Sequence, residues 1–299
     1  MSESGWLWIV FTLLAAAGQT IRNATQRELT ATLGTVGATH VRFLFGAPFG
    51  LLFLAGLMLV TGASLPKPPL VFWPWIVDGM GAQIAATALM LAAMGERSFV
   101  VTIAYIKTEP VQVALFGLIF LGDALSLGMI AAILIATAGV VVMSFKPSGA
   151  VNDSWRPTLL GLSAGAMFAL SAVGYRGAIL SLGLPDYAMA ATFTLVVGLL
   201  LQAAILSAWL MLRSPEVMRS ILAAWKPSLF AGFMGATASQ FWFLAFALAT
   251  AASVRTVALV EVLFAQAISS FVFGHRTTGR EAFGIVLIVA GVALLIWSH

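Results

Sequence analysis

The sequence predicts an all-α integral membrane protein with ten transmembrane helices, arranged as two inverted five-helix repeats. The 299 residues are 61% hydrophobic and only 9% charged, whereas a soluble domain carries about 25% charged residues. Apolar runs of about 20 residues, the length that crosses a bilayer, recur along the chain. Two segments, near 97–145 and 250–297, also share a pattern at one common offset, which pairs Glu109 with Glu261, Gly122 with Gly274, and Gly139 with Gly291.

The charge, the absence of cysteine and the absence of enzyme motifs limit which functions and partners are expected. The net charge is +4, from 15 basic and 11 acidic residues. These few charges fit the loops of a membrane protein, so no nucleic-acid partner is expected. The chain has no cysteine, which excludes disulfides, thiol chemistry and cysteine metal sites. It also lacks HExxH, P-loop and GxSxG signatures, so we expect neither an enzyme nor a cofactor.

The first half, residues 1–145, divides into five predicted spans. Helices are expected at about 5–21, 39–61, 73–94, 98–121 and 124–145. The first span leads into a polar stretch at 22–28, and prolines at 66–69 mark the turn before the third span. Residues 146–156 are polar and rich in turn formers, so we interpret them as the linker between the halves.

The second half, residues 157–299, repeats this pattern. Spans are expected at about 157–182, 185–212, 227–248, 252–273 and 279–297, with a basic amphipathic loop at 213–226. Because five is an odd number, the second repeat must enter the membrane upside down relative to the first. Basic residues concentrate in the loops of one face, which the positive-inside rule places in the cytoplasm. Both termini are therefore predicted outside, and a bacterial inner membrane is the expected location.

The predicted fourth span carries a polar stripe. One helix face holds residues spaced three or four apart, namely Thr102, Tyr105, Glu109 and Gln112. Such a face is costly in lipid, so it should turn toward a cavity or another helix. Pro110 cannot donate an amide hydrogen, so a kink is expected here, with the carbonyl of Ile106 left without its partner.

The charged residues of this span allow two interpretations. Glu109 could form a structural salt bridge, with Arg42 or Arg176 as its partner, or it could bind substrate or a coupling proton. Lys107 lies on another face of the helix, so it needs a separate partner or must reach the interface. Glu261 is the repeat counterpart of Glu109 and has the same two options.

Four arginines occur near predicted span ends, namely Arg22, Arg42, Arg176 and Arg255. Taken singly, such residues usually anchor to lipid headgroups. As a set, they could bind the carboxylate of a solute or form gate salt bridges with the glutamates. Trp242 lies deep in its span and is the candidate for an apolar wall of the site. Gln83 and Gln240 are candidates for neutral hydrogen bonds to a ligand.

These residues carry a resemblance to a known family. The sequence resembles the ten-helix, EamA-domain branch of the drug/metabolite transporter superfamily over essentially the whole chain. The matching positions are Arg42, Glu109, Pro110, Gly122, Gly139, Glu261, Gly274 and Gly291. Val262 stands where the family often has a second proline. The resemblance implies inverted repeats, secondary transport of small organic solutes, often as export, and often cytoplasmic termini, which is opposite to the charge count.

The function expected from these observations is secondary active transport. Inverted repeats are typical of transporters that bind substrate between the repeats near the midplane. We therefore expect alternating access through a central cavity lined by the first, third, fourth, sixth, eighth and ninth spans. The expected partners are membrane lipid and a small organic metabolite such as an amino acid. Export is the expected direction, with the chain acting as a monomer or homodimer.

Two details of this function stay open at the level of sequence. In a proton-coupled mechanism, Glu109 is the first candidate for the coupling residue and Glu261 the second. The alternative function is a membrane-embedded enzyme or lipid-handling protein acting on a lipid-linked group. Its acid–base pair would be Glu96 with Arg97, or Asp78. A structural or signalling membrane protein without a transported ligand is the third option.

Overall fold

The computed structural model describes residues 6–96, 105–144, 156–264, 266 and 278–298. These residues are largely helical and contain no strand. Six of their helices are long and apolar enough to cross a membrane, and shorter apolar helices lie at Glu109–Leu121 and Leu127–Met143. The chain is therefore an all-α, multi-pass membrane protein. The expected linker at 146–155, together with Thr102 and Gly274, lies outside the described residues.

The first helix, α1 (Leu7–Leu44), consists of two arms joined at Gly34. Gly34 has φ 67° and ψ 175°, a conformation that glycine adopts most readily. The side chain of Gln26 donates to the carbonyl of Ala38 at 2.9 Å, although twelve residues of continuous helix would separate them by about 18 Å. The chain therefore reverses at Gly34, and α2 (Gly46–Thr61) extends the second arm.

The remaining helices mostly follow the expected spans. They are α3 (Phe72–Glu96), α4 (Glu109–Phe116), α5 (Leu127–Ser144), α6 (Arg156–Ser181), α7 (Tyr187–Arg213), α8 (Pro215–Ala223), α9 (Trp225–Leu248), α10 (Ala251–Val257) and α11 (Gly279–Trp297). A π-helical turn at Gly117–Leu121 extends α4.

Two sequence expectations about these boundaries are wrong. The first span does not end near residue 21, because the helix continues and Arg22, Asn23 and Gln26 are buried against protein. Arg27 and Glu28 of the same stretch are helical and exposed. The segment 213–226 is not simply a loop, because it contains the short helix α8. The side chains of Val217 and Ile221 pack against α1 beside Gly37, so α8 has an apolar face to bury.

Three helix pairs make the most extensive contacts: α3 with α6, α1 with α9, and α5 with α11. Small residues allow these backbones to approach closely. A Cβ at Gly291 would stand 2.6 Å from the backbone nitrogen of Ala136, and a Cβ at Gly174 would stand 2.6 Å from that of Gly79. The pairs α5–α11 and α3–α6 therefore pack backbone against backbone, with no room for a larger side chain at these positions.

Two helical segments are interrupted immediately before a glutamate. Lys107 and Thr108 form a turn ahead of Glu109, which confirms the predicted break at the proline. In the other half, the 3₁₀ turn Ala258–Val260 follows α10 and precedes Glu261, although no proline stands there. Irregular backbone inside a membrane protein is tolerated where protein surrounds it or a cavity adjoins it. The two breaks therefore mark the region in which a functional site should be sought.

Candidate functional site

Two buried ion pairs join the segments around these breaks. Lys107 Nζ donates to Glu261 Oε2 at 2.7 Å. Arg255 Nε lies 3.0 Å from Glu109 Oε1. Each segment thus supplies one carboxylate and one cation to the other, so the pairs cross between the two halves of the chain. All four residues are buried, and we call them the crossed ion pairs.

Arg255 is held by aromatic rings as well as by charge. Its Cζ lies 4.2 Å from the ring centroid of Trp242 and 5.4 Å from that of Phe246, within the range of cation–π attraction. The indole N–H of Trp242 donates to the side chain of Gln19 at 3.1 Å. The Arg255 Nε hydrogen does not form an aligned hydrogen bond with Glu109, so this contact is an ion pair alone.

Two small cavities adjoin the crossed ion pairs. The first is lined by all four of their residues together with Gln19, Arg22, Asn23, Met90, Ile106 and Phe168. The second is lined by Gln19, Arg42, Gln83, Phe168, Ser171, Ala172, Tyr175, Ser239, Trp242, Phe243, Phe246 and Arg255. Each has room for about one water molecule, about 10 Å³. The centre is therefore polar and closed to any larger ligand in this conformation.

Three of the four arginines lie beside these cavities instead of anchoring at span ends. Arg22 is 1% exposed and Arg42 is 2% exposed, so headgroup anchoring is wrong for both. Arg22 Nη2 donates to the side-chain carbonyl of Asn23 at 2.7 Å. Arg42 donates to the hydroxyls of Thr87 and Ser239 at 3.3 and 3.2 Å. The physical reason is that α1 continues through both positions, which places them inside the bundle.

The predicted glutamines have different surroundings. Gln83 lines the second cavity, and its side-chain carbonyl accepts from the Tyr175 hydroxyl at 3.0 Å and from the Gln202 amide at 3.1 Å. Gln240 donates to the hydroxyl of Thr192 at 2.8 Å and lines neither cavity. Its bond instead ties α9 to α7.

Tyr105 and Gln112 do not line the cavities either. A Cβ at Gly161 would stand 2.6 Å from Tyr105 Cβ, and a Cβ at Gly165 would stand 3.6 Å from Gln112 Oε1. Both side chains therefore pack against α6. The turn at Lys107 and Thr108 separates Tyr105 from Glu109, so the helical spacing that defines the predicted stripe does not hold across it.

A third ion pair lies at one end of the bundle. Arg176 Nη1 donates to Asp123 Oδ1 at 2.8 Å, and Arg176 Nε donates to the carbonyl of Ala249 at 3.0 Å. These contacts join α6 to the turn between α4 and α5 and to the junction between α9 and α10. The partner of Arg176 is thus Asp123, and the salt bridge of Glu109 is with Arg255.

The residues of this region that sequence reasoning missed include Gln19, Asp123 and Phe168. A signal for Gln19 was present, because it lies three residues before Arg22 and seven before Gln26, which places all three on one helix face. No comparable signal distinguishes Asp123 or Phe168, because their roles depend on which helices meet.

A larger groove lies elsewhere, between α1 and α8. It measures about 570 Å³ and is lined by Thr25, Glu28, Leu29, Thr32, Leu33, Ser220, Ala223, Ala224 and Pro227. Glu28 is the one carboxylate among these lining residues, so the groove lacks an acid–base pair. Asp78 is exposed beside Gly174, and the side chains of Glu96 and Arg97 lie outside the described residues.

Comparisons with known proteins add evidence on the fold. No family model and no curated protein matches the sequence. A solved structure, described only as a crystal structure of a protein, superposes with a TM-score of 0.72 at 18% identity, covering 100% of this chain and 99% of the other. At this identity the likeness shows a shared fold alone. Fold and site together define an all-α membrane protein with a buried, charged centre.

Proposed function

We propose that this protein is a secondary transporter that moves a small organic solute by alternating access. The solute would pass between two inverted five-helix halves, and ten spans would be formed in all. The observation that carries this proposal is the crossed ion pairs. They place four ionisable groups at a closed, cavity-bearing centre between the halves, and such groups inside membranes are functional by default.

The pattern of helix packing supports the inverted repeat. A repeat that equates Glu109 with Glu261 also equates the first arm of α1 with α6, α3 with α9, and α5 with α11. Under that exchange, the pair α3–α6 becomes α9–α1, and the pair α5–α11 becomes itself. These are the three most extensive helix contacts in the described structure. The breaks before the two glutamates are equated in the same way.

The closed centre corresponds to an occluded state in this proposal. Opening toward one side requires the halves to separate at one end while the other end stays closed. The bond between Arg176 and Asp123 would hold one end shut. Solute or a proton would compete for Glu109 and Glu261, which releases Lys107 and Arg255 and permits rearrangement. A small organic metabolite such as an amino acid remains the expected solute, and export remains the expected direction.

Counterflow in proteoliposomes tests this function. Vesicles that contain the purified protein and an unlabelled solute should accumulate the labelled form, for at least one member of a panel of amino acids and other small metabolites. Glu109→Gln should abolish or uncouple this uptake while the protein still folds. Glu216→Gln is the matched control, since Glu216 is exposed on α8. No uptake of any panel member, or equal uptake by the Glu109 variant, would contradict the proposal.

A further inference from the structure

We infer that Arg22 and Arg42 together form a carboxylate-binding site, so that the ligand of this protein is a small organic anion. The inference rests on the proposed function only in treating that ligand as the transported solute. It goes further by naming the chemistry that the solute must carry.

The balance of charge around the cavities favours an anion. Among the described residues, the two cavities are lined by four cationic side chains and two carboxylates. Both carboxylates already have a cation within ion-pair distance, in the crossed ion pairs. Glu261 also lies within electrostatic range of Arg22, but its carboxylate is bound to Lys107. Two buried positive charges are therefore left without an anionic partner.

The aliphatic stems of the two arginines pass close together, and their charges lie within electrostatic range of each other. A Cβ at Gly235 would stand 3.2 Å from Arg42 Cγ and 3.4 Å from Arg22 Cδ, so both side chains cross the same point of α9. Two like charges close together in a poorly polarisable interior repel each other. A carboxylate between them would replace that repulsion with two attractions.

Unused hydrogen-bond donors indicate where the anion would bind. Nη1 of Arg22 and Nε of Arg42 are buried and have no acceptor among the described residues. A buried donor without an acceptor is costly, and a carboxylate could accept one charge-assisted hydrogen bond from each of the two arginines. The two arginines thus have capacity for an oxyanion that the protein itself does not use.

The neighbouring side chains indicate the rest of the ligand. Phe168 lines both cavities, and Trp242 and Phe246 line the second. An organic carboxylate with an apolar body would place its charge at the arginines and its body against these rings. An inorganic anion would contact the arginines but would have no apolar body to place against the rings.

The test is ligand-dependent thermal stability of the purified protein in detergent. The probes are matched pairs of carboxylate and primary amide: phenylacetate with phenylacetamide, and succinate with succinamide, with inorganic phosphate as the comparison anion. At least one carboxylate should raise the unfolding temperature, and its amide should not. Arg22→Gln and Arg42→Gln should each weaken the apparent affinity by about tenfold or more, the loss expected for a charged hydrogen bond. Arg213→Gln, at an exposed position, should leave affinity unchanged.

Several results would overturn the inference. These are equal stabilisation by carboxylate and amide, stabilisation by phosphate alone, no stabilisation by either carboxylate, or unchanged affinity in both arginine variants. If a glutamine variant fails to fold, Arg22→Lys and Arg42→Lys keep the positive charge but lose the guanidinium group, and these variants should still bind the carboxylate more weakly than the wild type.

The failure of this inference can be distinguished from the failure of the proposed transport function. Arginine-dependent binding without counterflow contradicts transport alone, whereas counterflow of an uncharged solute that is insensitive to both arginine variants contradicts the anion site alone.

Discussion

The pair between Lys107 and Glu261 allows a quantitative prediction about stability. Glu261→Gln preserves the size of the side chain but leaves the Lys107 ammonium buried without its carboxylate. Removing one partner of a buried ion pair costs about 3–5 kcal/mol, so the free energy of unfolding should fall by that amount. Lys107→Met should have a similar cost, because it leaves the carboxylate without its ammonium.

The double variant should behave differently from the sum of the single variants. At 2.7 Å between Nζ and Oε2, the attraction is about 6 kcal/mol at an effective dielectric constant of 20, but burial of both charges offsets much of it. Replacing both partners by neutral groups is often neutral or stabilising by about 1–4 kcal/mol. The double variant should therefore lie close to the wild type, with a coupling energy above about 3 kcal/mol.

Equilibrium unfolding in mixed micelles, followed by the fluorescence of the nine tryptophans, measures all four proteins of this cycle. Lys67→Met and Glu216→Gln at exposed positions provide the control cycle, which should show no coupling. Additive losses at Lys107 and Glu261 would refute the reasoning, because additivity means that the two side chains do not compensate each other in the folded protein.

Three further predictions concern the helix contacts and the closed end. Gly291→Ala should lower the free energy of unfolding by about 1–3 kcal/mol through overpacking. Gly81→Ala is the control and should not lower it, because a Cβ at Gly81 would have no neighbouring atom within 4 Å. Equal effects of the two substitutions in the same unfolding assay would contradict this packing. Gly34→Ala should cost about 1–2 kcal/mol because its φ is positive, and an unchanged midpoint would contradict the reversal. Asp123→Asn should accelerate thiol labelling of Ala172→Cys in the second cavity several-fold, and unchanged rates would contradict a closing role for the third ion pair.

Much of the fold can be predicted from the apolar runs and from the prolines and polar turns that separate them. Most helices lie where runs of about 20 apolar residues predict them, and Pro110 predicts the break before α4. The sequence predicts too early an end for the first span, because Arg22 and Gln26 belong to the polar stretch that follows it and are nevertheless buried in the bundle. A membrane protein can bury polar side chains against its own helices, and the sequence of one segment does not show which neighbours will cover it.

The sequence predicts which charged residues belong to the candidate site, but it does not predict which of them pair with each other. Scarcity of charge singled out Glu109, Lys107 and Glu261, because every ionisable group in an apolar span needs a reason. The partner of each depends on how the segments around α4 and α10 meet across more than a hundred residues, which periodicity does not encode. The same limit applies to Asp123, whose contact with Arg176 exists only in the assembled bundle.

Distance measurements between spin labels test the central claim, that two halves open alternately around the charged centre. The chain has no cysteine, so labels can be added in pairs without other changes. Leu127 with Leu180 reports on the end that holds Asp123, and Val36 with Leu222 reports on the opposite end, all four being exposed. Gradients of a solute that shows counterflow should lengthen one distance while shortening the other. Two distances that stay constant, or that change in the same direction, would contradict the account.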